Sequence, residues 1–77
     1  MFYLNHGYFA DRAFASFELA LAHAKNIHFD ATIYEVPKGE HPYSSNDVKM
    51  VGSWSVFGGT RDMRKAPVTF PNVEVVA

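Results

Sequence analysis

At 77 residues the chain has room for a single domain, and an apolar fraction of 48% with seven Phe, four Tyr and one Trp excludes a disordered polymer. The lack of cysteine excludes disulfides and thiolate metal sites, and seven Lys/Arg against eight Asp/Glu, a net charge of −1, argue against a general nucleic-acid binder and an acidic DNA mimic alike. A domain this small buries only about 60% of the surface of its unfolded chain, so a dense aromatic core or a second copy must add stability, and a homodimer is an expected partner state.

Met1 to Gly7 lacks the basic start and apolar run of a secretory signal. No stretch approaches the roughly 18 apolar residues of a membrane span. The expectation is therefore a cytoplasmic protein without a membrane partner.

Phe2 to Asn5 reads as a short strand, with His6-Gly7 as a turn signal and Tyr8-Phe9 as a return. Ser16 then suits a helix N-cap, Glu18 stands in the first turn where the helix dipole favours negative charge, and Ala20, Ala22 and Ala24 are strong helix formers. At 100° per residue, Phe14, Phe17, Ala20, Leu21, Ala24 and Ile27 share one stripe, opposite Glu18, Ala22, Lys25 and Asn26. This predicts an amphipathic helix from Phe17 to Lys25, ended by a left-handed residue at Asn26.

Phe29 to Val36 is β-branched and aromatic and stops at Pro37. Residues 37–47 collect Pro, Gly, Ser and Asn and read as a long loop. From Val48 to Phe57, Val48, Met50, Trp54 and Val56 alternate with Lys49, Ser53 and Ser55, the period of a half-buried strand. Gly52 falls on the apolar side, where a bulge or a closely packed helix would account for it. Gly58-Gly59 ends the strand, and Thr60 to Lys65 reads as one helical turn. Residues 66–77 form either an edge strand, within Val68 to Val76, or a frayed tail. The order predicts an α+β fold in two layers, one helix across a small antiparallel sheet, β-α-β-β with room for an extra C-terminal strand.

No constellation of catalytic residues is legible. His23 and His28 stand five apart, away from the i, i+4 spacing that places two imidazoles on one helix face, and His6 and His41 lie in loops. Ser44, Ser45, Ser53 and Ser55 occupy no nucleophile elbow. No metal, cofactor or catalytic residue is therefore assigned. Gly58-Gly59-Thr60-Arg61 has the makings of an anion-binding backbone nest beside Arg61 and Arg64, although a strand-ending turn explains the string more simply.

The sheet offers a second face. With Leu4, Ile33, Met50, Trp54 and Val56 turned to the helix, the reverse side carries Tyr3, Thr32, Tyr34, Val36, Val51, Ser53, Ser55 and Phe57. Aromatic residues beside short hydroxyls have the composition of a partner surface. The candidate partner-binding residues are Tyr3, Tyr34, Phe57, Arg61 and Arg64, with Trp54 assigned to the core.

The string Phe14-Ala-Ser-Phe-Glu-Leu-Ala-Leu-Ala-His-Ala-Lys25, with Asp30-Ala-Thr-Ile-Tyr-Glu-Val36 and Ser53-Trp-Ser-Val-Phe-Gly-Gly-Thr60, resembles small accessory proteins of tailed bacteriophages, those serving host takeover or anti-defence. The likeness spans Phe2 to Arg61 and is one of pattern, so no site residue is carried over. It implies a protein that binds and inhibits or redirects a host protein such as RNA polymerase or a defence nuclease; the near-neutral charge departs from acidic DNA-mimic members. The expected function is a non-catalytic protein-binding module. The alternatives are a small nucleic-acid binder stacking bases on Tyr34 and Phe57, and a homo-oligomeric assembly subunit.

Overall fold

A computed structural model describes residues 1–5 and 12–70, with the backbone alone for Phe70. The expected return at Tyr8-Phe9 and the tail beyond Phe70 lie outside the described residues. The described elements are β1 (Phe2–Asn5), β2 (Ala13–Phe14), α1 (Phe17–Ile27), β3 (Ala31–Glu35), β4 (Val48–Ser55), β5 (Gly59–Asp62) and β6 (Val68–Phe70). The strands form an antiparallel sheet ordered β2-β1-β3-β4-β5, and β6 pairs with the other half of β4. One helix packed on an antiparallel sheet is the α+β architecture that the sequence predicts.

Helix α1 starts where Ser16, in extended conformation, accepts a hydrogen bond from Leu19 N through its side chain at 3.1 Å. It ends two residues later than expected. Ile27 still packs against the core, and His28, not Asn26, takes the left-handed conformation at φ 58°. Phe17, Ala20 and Ala24 are buried against Leu4, Phe14, Ala31, Ile33 and Val51, with Phe2, Leu21, Ile27 and Trp54 partly buried around them. Ile33 is completely buried, a burial that stabilises by about 1.5–3 kcal/mol.

The phase of β4 departs from simple alternation. Ile33 pairs with Gly52 and Tyr34 with Met50, so Val51 is one residue extra and β4 is bulged. Val51 and Gly52 both stand opposite Ile33, which turns Val51 into the core and Met50 to the reverse side. The sequence pattern assigns those two faces the other way round, because an unbroken period of two carries no sign of the inserted residue. The absent Cβ of Gly52 matters here too: a Cβ would stand 2.6 Å from Phe17 Cε1 and 2.8 Å from the Arg61 carbonyl oxygen.

Strand β4 stops at Ser55 rather than Phe57, and Val56 leaves the helix-facing row for an exposed turn. Thr60 to Lys65 is not a helical turn. Gly59, at φ 78°, reverses the chain so that Gly59–Asp62 returns along β4 as β5. Strand β3 begins at Ala31, two residues after the expected start, because the Asp30 carboxylate accepts a hydrogen bond from Val56 N at 2.8 Å and Phe29 lies outside the ladder.

Candidate functional site

Strand register places the reverse side of the sheet in rows. Tyr3, Tyr34, Met50 and Val68 form one, and Asn5, Thr32, Ser53 and Arg61 the next. The first row is not free throughout. The β3–β4 connection folds over it: Tyr3 Oη donates to the Glu40 carbonyl at 3.2 Å, and the His41 ring stands edge-on to Tyr3 at 5.2 Å. That connection has its own hydrogen bonds. Ser44 N and Ser45 N both donate to the His41 carbonyl, Ser45 Oγ donates to Glu40 Oε1, and Asp47 N donates to Ser45 Oγ. Ser45 is buried, as are Val36 and Val48 beyond the Tyr34 row. Tyr3 thus serves to fasten the loop. Tyr34 is its cross-strand neighbour and is half-buried.

The second row borders a depression in the surface. Asn5, Thr32, Ser53 and Ser55, with Asp30, Ala31 and Trp54 at its margin, line a shallow depression of about 410 Å³. Arg61 borders it across from Ser53, exposed, without an ion pair among the described residues. The β4–β5 turn closes that end. Gly58 N donates to Ser55 Oγ at 3.2 Å, and the Asp30 hydrogen bond to Val56 N ties the turn to the α1–β3 connection. The turn's apex is Phe57, 100% exposed, flanked by Val56 at 45%, while Phe29 is 61% exposed in the connection tied to the turn.

Arg64 lies on the other side of the sheet. Its guanidinium sits 4.2 Å from the Phe17 ring centre and pairs with Glu18 Oε2 at 2.9 Å and Asp62 Oδ2 at 2.6 Å. The Arg64 hydrogen bonds hold the Asp62 carboxyl down at about 2. Glu18 is also lowered, first by a backbone hydrogen bond at the helix start and then by Arg64, and the guanidinium is raised by both carboxylates. This residue clamps the β5–β6 connection onto α1.

The structure therefore brings Phe57 and Arg61 together on one hairpin, sets Tyr3 one row away beneath the β3–β4 loop with Tyr34 as its cross-strand neighbour, and separates Arg64 from all four. Phe29 was absent from the sequence candidates. An isolated aromatic before Asp30 reads as strand, and only the Asp30–Val56 hydrogen bond reveals that it joins the hairpin end. Among the described residues no group of three or more His, Cys, Asp or Glu is placed to hold a metal ion, and no helix is long and apolar enough to cross a membrane. In comparisons with known proteins, no family model matches the chain, and neither a curated protein nor a solved structure matches it.

Proposed function

We propose that the chain is a non-catalytic protein-binding module whose partner docks on the hairpin end of the sheet, with Phe57 as the anchor and Arg61 as the flanking charge. The observation that carries this reading is the complete exposure of Phe57 at the apex of a turn pinned by Asp30 and Ser55. An aromatic ring held fully in water contributes nothing to its own core, yet a rigid turn presents it at low entropic cost to a partner's pocket. Val56 and Phe29 extend the apolar contact, and the hydroxyl-lined depression beside them supplies a polar rim. The choice of a host protein as partner rests on the pattern resemblance to phage accessory proteins.

A nucleic-acid reading draws less support, since Arg61 and Arg64 lie on opposite sides of the sheet and both carboxylate partners of Arg64 neutralise it. The test compares tagged wild-type chain with Phe57→Ser in capture from a lysate of the producing cell, alongside urea unfolding of both. The module reading expects capture to fall about thirty-fold or more, the size of a hot-spot loss, at an unchanged unfolding midpoint. Equal capture by a folded Phe57→Ser chain overturns it.

A further inference from the structure

The geometry points to the outer edge of β5 as an acceptor for one extended segment of a partner protein that places an acidic residue opposite Arg61. This rests on the module reading above and names the mode and chemistry of the contact. In an antiparallel ladder, successive residues alternate between bonding to the neighbour and pointing away from it. Met63 N donates to the Val51 carbonyl at 2.8 Å, which sets the phase for this pair of strands. Gly59 and Arg61 bond inward to Ser55 and Ser53, and the backbone N–H and C=O of Thr60 and Asp62 point out. Among the described residues, β6 joins β4 at Val48–Met50 and does not reach the outer side of β5.

Exposed edges are blunted by short length, charged side chains, proline, a bulge or a covering loop. Strand β5 is four residues long and carries the charges of Arg61 and Asp62, but among the described residues no proline, bulge or covering loop closes it, so its charges decide which segment it accepts. An outward row of peptide groups is matched by another extended backbone. Charge selects the occupant. Asp62 is already neutralised by Arg64 on the helix side, whereas Arg61 on the reverse side is unpaired among the described residues, so the unmet charge of the edge is positive. A second copy fits poorly: the antiparallel register that joins both outward residues of both chains sets Arg61 directly against its own symmetry mate, and facing like charges destabilise a pair. An acidic side chain opposite Arg61 instead occupies a non-hydrogen-bonded position, where cross-strand side chains approach most closely.

The probe is a capped seven-residue peptide, Thr-Ile-Thr-Glu-Thr-Ile-Thr, titrated into the full chain and followed by amide NMR and hydrogen exchange. Its controls carry Lys for the central Glu, or N-methyl groups on the amides of the strand edge that meets β5. Binding is expected to slow exchange at Thr60 and Asp62, to favour Glu over Lys about threefold, the scale of an exposed ion pair, and to vanish on N-methylation. Arg61→Gln abolishes the Glu preference while retaining the fold. Unmoved Thr60 and Asp62 amides at millimolar peptide, equal affinity for the two charges, or the same amides protected by chain concentration alone would each overturn the proposal. If they do so while capture still depends on Phe57, the edge mode fails and the module reading stands.

Discussion

The edge of the Phe17 ring occupies the space that a side chain at position 52 would need, with Cε1 2.6 Å and Cζ 2.8 Å from the site of a Cβ. Helix and sheet approach this closely because the bulge sets Gly52 and Val51 side by side opposite Ile33. Gly52→Ala is expected to destabilise the fold by about 1–3 kcal/mol, the usual cost of overpacking. Phe17→Leu in the same chain should recover only part of that loss, because the Arg61 carbonyl crowds the site from the other side. A double-mutant cycle by urea denaturation measures the coupling, and strict additivity would contradict the contact.

Much of this packing was legible in the sequence. The 3.6-residue stripe from Phe14 to Ile27 names the buried side of α1, and Ser16 marks its start. What the sequence hides is the phase shift at Val51, since a bulge depends on how two strands meet rather than on either one's alternation. The β3–β4 loop over Tyr3 is hidden for the same reason: its fastening through Glu40 and His41 joins residues 37 and 38 positions apart. Phe57 was legible as a candidate, although as a strand residue rather than as the apex of a turn.

Ser16→Ala removes the acceptor for Leu19 N. A loss of about 1 kcal/mol is expected, the typical cost of an N-cap, read as a lower urea midpoint at an unchanged slope.

His28 holds φ 58° at the helix end without the freedom of glycine. The left-handed conformation costs a non-glycine residue about 1–2 kcal/mol, so His28→Gly should stabilise the chain by up to about 1 kcal/mol once glycine's greater unfolded entropy is counted. A lower melting temperature in the variant would contradict the assignment of His28 as the cap.

Asp62 titrates at about 2 instead of its ordinary 3.8 because Arg64 donates hydrogen bonds to its carboxylate. Its folded value is depressed, so the ion pair's contribution to stability is present in full above the unfolded value, near pH 4, and is lost as pH falls through about 2. Arg64→Met should return the Asp62 carboxyl towards its ordinary value and flatten the stability profile across that interval. Carbon-detected NMR titration of the side-chain carboxyl reads this, and an unmoved midpoint would contradict the clamp.

If the hairpin end meets the partner, amide hydrogen exchange on the full chain, alone and in the captured complex, will show it. The expected result is slowed exchange confined to Ser55–Asp62 and the neighbouring Phe29–Asp30. Slowing confined to the exposed side of α1 around Leu19 and Ala22, with hairpin rates unchanged, would contradict it.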